Sequence, residues 1–538
     1  MVLISKSHKS PSQAGINDFN FYGRRGIILD SSLEGGTLSQ MTQHSRHPSS
    51  SKAAQQLDFL FQPRSIAVAG VSSNPADPGR ERFIRPFIDF GFEGPIYPIN
   101  PKGGEIMGMK IAENIQTIPG PVDYVVASIP SKQSVQFVRD CGEKGVKAIH
   151  FFTSGFGETG IEADSQLETE LVQAAREGGV RIIGPNCMGI YCPGSHMSFW
   201  PDFPKQSGSV GYICQSGGNA IQMVQVSAPR GVRFSKVISF GNAADLNESD
   251  YLEYLTDDPE TKIIALYIEG VKEGRRFAQA LATAASKKPV ILLKGGISTN
   301  GARAVASHTG ALAGSSAIWE SLCKQLGVIL VSSLEELTDM LVTLLFMTPP
   351  QGRNAAIVGV GGGASVLATD DCERNGLSVP QLPLELRQKL LEFTPQAGNS
   401  VRNPIDSQVL IYTPDRFVDT MEIVSGWQGI DIMISLIGST DVFQRRMGKN
   451  AMYDLIVQTM MKSTAASLKP VAIVVQPGIR PEMYEDAFNA QRQFVSAGYP
   501  VFPTVAAAAN SIFKLFEYNH TKSHRTKQPT SRKEKKSR

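Results

Sequence analysis

From about residue 56 the chain alternates short runs rich in Val, Ile and Ala with amphipathic stretches, and this alternation most restricts what it can fold into. RSIAVAGV (64–71), PIYPINP (95–101), DYVVASIP (123–130), KAIHFFTSG (147–155) and VRIIGPNC (180–187) follow one another as candidate strands. Between two of them, SKQSVQFVRDCGEKG places Val135, Val138 and Cys141 at helical spacing. Strands alternating with helices imply right-handed crossovers and a parallel sheet, so residues 56–195 are expected to form a Rossmann-like domain. SVGYICQSGGNAIQMV, KVISFGNAAD, IIALYIEG and PVILLKGG repeat the pattern over 205–348, up to a TPPQG linker. NAAIVGVGGGASVLATDDCERNG, GIDIMISLIG and PVAIVVQPG carry it through 352–517, and the three blocks together define an α/β chain without a detectable repeat.

Composition narrows the class. The 538 residues are 41% hydrophobic and 19% charged, an ordinary globular mixture that needs no staples. Six cysteines without CxxC or zinc spacing are expected as free buried thiols in a reducing compartment. The net charge of +3 is set by residues 519–538, whose eight Lys/Arg and one Glu contribute +7 and leave −4 for the rest. The weakly acidic body gives no reason to expect nucleic acid. Residues 518–538 read as a basic disordered tail, and 1–55, rich in Ser, Gln, His and Gly, as a disordered leader. No apolar run approaches membrane-spanning length and Val2–Ile4 is too short for a secretory core, so no membrane is expected and the cytoplasm is the expected compartment.

Ligands of parallel α/β sheets collect at the carboxyl ends of strands. AGVSSNPADPGR puts Gly70 at such an end, followed by Ser72, without the GxGxxG of a dinucleotide site. NPKGG places Lys102 on a flexible loop, and SIP (128–130) and GPNCMG (184–189) end two more strands; four such ends around one sheet point to a nucleotide-like ligand. In QSGG (215–218), between a strand and a helix, Gly217 and Gly218 admit close backbone approach and Ser216 adds a hydroxyl, which makes an anion cradle at a helix N-terminus. Ser216 as a nucleophile is the weaker alternative, because GxSxG is absent. His308 lies among small residues in ASHTGALAG, and IEG (268–270) places Glu269 at the end of a strand. The histidine is either a structural or merely exposed side chain or a nucleophile toward phosphorus oriented by that glutamate. The GVGGGAS loop (359–365) is either an anion loop or a tight turn, and NPID (403–406) is a polar turn carrying Asp406.

Taken together, GPNCMG, SFGNAADLNESDYLEYLTDDPETKIIALYIEG, ASHTGALAG and NPID resemble the ADP-forming acetyl-CoA synthetase family, related to the succinyl-CoA synthetase α subunit. The resemblance covers about 57–517 and implies a Rossmann-like CoA-binding domain followed by two flavodoxin-like domains. It implies coenzyme A at Gly70, Ser72, Lys102, Pro130 and Asn186, an acyl-site loop TSGFGETG with Glu158, and phosphate held by Ser216, Gly217 and Gly218. His308 would carry the phosphoryl group, supported by Glu269, whose separation of 308 − 269 = 39 fits the family. The implied reaction interconverts acyl-CoA, phosphate and ADP with a carboxylic acid, CoA and ATP. ADP or ATP and Mg would sit on an ATP-grasp β-type partner chain, in a homodimer or an α2β2 assembly. Two departures stand out: Arg82, Phe83 and Arg85 replace the small residues common in the family, and no ATP-grasp half is visible in the sequence. The alternative expectation is a CoA- or acyl-CoA-binding regulatory or scaffold protein that is inactive alone.

Overall fold

The computed structural model describes residues 57–301, 303, 315–359, 361–407, 413–437, 449–476 and 481–527. The expected leader and His308 therefore lie outside the described residues. The first sheet consists of β1 (Ile66–Ala69), β2 (Ile96–Ile99), β5 (Tyr124–Ala127), β6 (Ala148–Phe151) and β7 (Arg181–Ile183), all parallel, in the order β2-β1-β5-β6-β7. A small hairpin, β3 (Glu105–Ile106) with β4 (Met109–Lys110), stands beside it. Between β5 and β6 the helix Ser134–Lys144 buries Val138 and Cys141, and Gly145 closes it at φ 80°, a left-handed cap that suits glycine.

The second sheet follows with β9 (Val210–Cys214), β10 (Phe234–Ser239), β11 (Ile263–Ile268), β12 (Val290–Lys294) and β13 (Ile329–Val331). Its order is β13-β12-β11-β9-β10-β8, with β8 (Gly189–Tyr191) antiparallel on the edge. The chain leaves the first sheet after β7, and residues 189–191, within the block expected over 56–195, pair with the second sheet. β8 finds backbone partners only along the free edge of β10, which is why it crosses over. The third sheet contains β14 (Ala355–Gly359), β15 (Ser400–Val401), β16 (Ile405–Asp406), β17 (Ile432–Ile437), β18 (Val471–Val475) and β19 (Val501–Phe502), ordered β15-β16-β14-β17-β18-β19.

Counting only the parallel strands, each sheet has the order 2-1-3-4-5, the flavodoxin-like winding. Order reverses beside the first strand of each sheet, between β1 and β5, β9 and β11, and β14 and β17. Those reversals open the crevices in which such folds hold ligands.

The units are welded together. One apolar cluster runs from Leu57 and Phe83 through the second sheet to Ile512 and Leu515. Arg181 pairs with Asp245 at 2.9 Å across the first joint, where Phe61 stacks on Tyr254 at 4.5 Å. Across the second joint, Arg230 Nη2 donates to Val501 O at 2.8 Å. There Asn510 donates to Glu336 at 2.8 Å, and Lys514 pairs with the same carboxylate. The last helix, Val505–Lys527, runs past residue 518, where the disordered tail was expected to begin. Its end is held by local pairs: Phe516 stacks on His520 at 5.8 Å, and Lys522 lies over the Tyr518 ring at 5.7 Å.

Burial pushes the Glu336 carboxyl up, but hydrogen bonds from Lys514, Ser332 and Asn510 outweigh it and hold it at about 2. The unfolded carboxyl titrates near ~4.3, so this site adds stability above that pH and loses it as pH falls toward 2. Glu336→Gln is expected to flatten that acid limb in urea titrations between pH 5 and 2, whereas an unchanged limb would remove Glu336 from the joint's electrostatics.

Candidate functional site

A cavity of about 650 Å³ opens where the strand ends of the first sheet face those of the second. Its first wall is Ser128–Ser131 after β5 and Phe152–Ser154 after β6. Its second is Gln215–Gly218 and Ile221, with Gly241 and Asn242 after β10, and Asn186–Met188 bridge the two. Five expected residues thus meet in one place: Pro130, Asn186, Ser216, Gly217 and Gly218. Asn186 takes φ 58°, and its N–H donates to Thr153 O at 3.0 Å.

Gly70, Ser72 and Lys102 stand at neighbouring strand ends rather than in the lining. At Gly70 (φ 90°) an added Cβ would lie 1.9 Å from Ser128 O, so only glycine lets β1 and β5 end together at the order reversal. Ser72 Oγ accepts from Asn74 N at 3.2 Å. The exposed Lys102 anchors its backbone on Asn100 Oδ1 at 2.9 Å, while Asn100 Nδ2 donates to Val71 O at 2.5 Å. These bonds tie the two loops that border the β1 crevice.

On the second wall, Ser216 caps the helix Gly217–Ser227, its hydroxyl accepting from Asn219 N at 3.3 Å. The first N–H groups of that helix have no partner within it, and its dipole leaves partial positive charge there. A Cβ at Gly217 would meet Met188 at 2.9 Å, whereas Gly218 faces open space. Glu269 is buried just past β11, on the opposite side of the reversal from β9. Tyr267 Oη donates to its Oε1 at 3.1 Å, and its Oε2 has no partner among the described residues. Lys294 Nζ donates to Glu269 O at 2.8 Å, and burial lowers that ammonium to about 8.

Glu158 lies behind the lining. Its carboxylate accepts from Gly155 N at 2.6 Å, Phe156 N at 3.2 Å and Asn242 Nδ2 at 2.5 Å. The same Asn242 amide donates to Glu168 Oε2 at 2.9 Å, so a side chain of the second unit fixes the loop of the first. Sequence reading did not single out Asn242, Glu168 or Gln215; the available signal was the place of Asn242 in SFGNAAD and of Gln215 in QSGG, and Glu168, on the helix Glu162–Glu177, had none. All six cysteines are free and buried, and burial raises the Cys187 thiol beside the cavity far above the usual range. Among the described residues no group of three or more His, Cys, Asp or Glu could hold a metal ion, and no helix is long and apolar enough to cross a membrane.

In the third unit Asp406 Oδ1 accepts from Gly361 N at 2.6 Å, tying NPID to the glycine loop. Asn403, at φ 82°, accepts from Ile357 N at 3.0 Å and donates to Ala355 O at 3.0 Å and Pro380 O at 2.8 Å. That asparagine completes backbone pairing beside β14, so NPID is part of the framework here.

Comparison with known proteins agrees with this architecture. Residues 64–193 match a CoA binding domain, and 207–344 match the succinyl-CoA ligase like flavodoxin domain. The α subunit of ADP-forming acetate–CoA ligase II from Pyrococcus furiosus is 39% identical over 381 residues, covering 71% of this chain and 82% of that one. The ADP-forming acetate–CoA ligase I of Archaeoglobus fulgidus is 36% identical over 71% of this chain and 55% of its own length. The solved acetyl-coenzyme A synthetase 1 of Ca. Korarchaeum cryptofilum, in complex with phosphate and ADP, is 33% identical. It covers 88% of this chain and 98% of its own, with a TM-score of 0.72. A CoA-binding sheet joined to a succinyl-CoA-ligase-like sheet defines an acid–thiol ligase. The chain belongs to the ADP-forming acetate–CoA ligase family.

Proposed function

We propose that the chain is the CoA-binding, phosphohistidine-carrying α-type subunit of a nucleoside-diphosphate-forming acyl-CoA synthetase. The observation that carries this reading is the cavity between the two sheets, where a helix N-terminus and the CoA-side loops meet. Buried Glu269, with one carboxylate oxygen that has no partner among the described residues, stands behind it. That oxygen suits an imidazole N–H, which would fix the ring so that the other nitrogen of His308 faces the phosphoryl group.

Gly70, Ser72, Lys102, Pro130 and Asn186 hold coenzyme A, with its thiol directed into the cavity. A phosphate oxygen attacks the thioester carbonyl, the C–S bond breaks, and CoA leaves as the thiol with the phosphate's proton. The His308 nitrogen then takes the phosphoryl group as the P–O bond to the acyl carbon's oxygen breaks, releasing the carboxylate. ADP finally accepts it from His308 to give ATP. Ser216, Gly217 and Gly218 stabilise the oxygens of the transferred group with donors that need no rearrangement. Glu158 shapes the acyl end of the cavity through its bonds to Gly155, Phe156 and Asn242. The nucleotide and its Mg belong to an ATP-grasp β-type partner chain, in a homodimeric or α2β2 assembly, and the substrate is a small acyl-CoA or carboxylic acid. The functional units are 56–195 for CoA, 205–348 for the phosphohistidine loop and 352–517 for the second ligase-like unit.

The test is phosphorolysis by the purified chain. With a small acyl-CoA and phosphate it should release about one equivalent of CoA per chain, read by chromatography, and turn over only when an ATP-grasp partner and ADP are added. CoA binding with no thioester cleavage under either condition would instead favour a regulatory binding protein.

A further inference from the structure

Gln215 carries a second, unassigned role at the same cavity. It follows β9 directly and is only 7% exposed. Its backbone N–H donates to Tyr267 O at 3.0 Å, extending the ladder between β9 and β11. Its side-chain oxygen then receives two backbone donors, Glu269 N at 2.7 Å and Gly270 N at 3.1 Å. Because both partners are donors, the atom facing them must be the carbonyl oxygen, and this fixes which way the amide points. The NH₂ end has no acceptor among the described residues, although Gln215 lines the cavity beside Ser216, Gly217 and Gly218.

With its oxygen engaged by two backbone donors, the Gln215 amide offers the cavity donors alone. The neighbouring groups are also donors, the first N–H groups of the helix Gly217–Ser227. Donors converging from two directions call for an oxyanion, and three-oxygen phosphoryl geometry uses both at once. We infer that Gln215 is a direct ligand of the phosphoryl oxygens in this cavity, its Nε2 donating to the anion while its Oε1 clamps the Glu269–Gly270 backbone. The inference deepens the proposed function and rests on it for the identity of the anion.

Two physical consequences follow from this arrangement. A neutral donor stabilises the dianion without a fixed counter-charge, so the anion is held for transfer rather than trapped. Glu269 and the anion are also linked through one side chain, so whatever displaces the Gln215 amide moves the carboxylate that orients the histidine.

The probe is inorganic phosphate titrated into the full chain and followed by ³¹P NMR, with CoA binding measured in parallel. Gln215→Glu keeps an acceptor for the two backbone N–H groups but replaces the donor with a carboxylate. Gln215→Met keeps the length and removes both polar atoms. Phosphate affinity should fall about 10-fold in the Met variant and about 100-fold in the Glu variant, with CoA affinity held within about twofold. Unchanged phosphate affinity in both variants, or no phosphate binding by the wild type at ~20 mM, would overturn the inference. If both variants lose CoA together with phosphate, Gln215 is a structural clamp only and the ligand role falls. Phosphate binding that depends on Gln215 while His308 takes no label would leave this role standing and remove the phosphohistidine reading, so the two failures are distinct.

Discussion

Glu269→Gln is expected to slow phosphoryl transfer to His308 by about 100-fold or more while leaving the protein as stable as before, or up to about 1 kcal/mol more stable. The two effects have opposite signs for one reason. Glu269 is buried and its Oε2 has no partner among the described residues, an arrangement that raises the energy of the folded state. An acceptor held ready in this way is useful only to a donor that arrives, and an imidazole N–H is such a donor. Replacing that oxygen by an amide NH₂ turns the acceptor into a donor, so the ring loses its orientation. Tyr267 Oη keeps a carbonyl to donate to, and the Gln215 clamp acts on the backbone and persists. Rapid-quench phosphorylation and urea unfolding of the same variant measure the two effects. A variant that is destabilised yet phosphorylates at the wild-type rate would make Glu269 a structural residue.

Gly241→Ala should cost about 3 kcal/mol or more of stability and weaken CoA binding along with it. At φ 51° an added Cβ would lie 2.3 Å from both Pro185 O and Asn186 O. Neither oxygen is free to retreat, because the two segments are laced together: Asn242 N donates to Pro185 O at 3.0 Å and Ala244 N to Gly184 O at 2.9 Å. The 184–188 loop must therefore move away, and with it Asn186 and the wall of the cavity. Gly218→Ala is the informative contrast, since its Cβ would meet nothing within 4 Å. That change should leave the melting temperature unchanged or raise it slightly, because alanine is the better helix former. Equal melting temperatures for Gly241→Ala and wild type would mean that the joint is softer than its packing indicates.

What the sequence made legible follows physical range. Strands such as IAVA (66–69) and VGYIC (210–214) are apolar throughout and bounded by Gly or polar residues, so their existence is a local property. The shared 2-1-3-4-5 order is not local, because crossovers rather than residue patterns decide which strands become neighbours. The short GIY strand has no local signal at all and is recruited by an open edge. Gly70 was legible as a strand end, and its 1.9 Å approach to Ser128 O accounts for the residue type. Asn403 read only as part of a polar turn, whereas its amide meets three backbone groups and belongs to the framework. Asn242 and Gln215 were passed over because an uncharged amide between more eye-catching neighbours has no distinctive chemistry until its partners are known. His308 became specific only through the ASHTGALAG resemblance, since small neighbours fit any exposed loop as well as a mobile carrier.

The most direct test of the account is the phosphoryl group itself. Purified wild-type chain and His308→Ala, each mixed with acyl-CoA and labelled phosphate, are quenched in alkali and assayed for acid-labile label, with CoA binding checked in both. The account predicts about one acid-labile phosphate per wild-type chain, none on His308→Ala, and equal CoA affinity for the two. Acid-labile label that persists on His308→Ala would place the carrier elsewhere and contradict it.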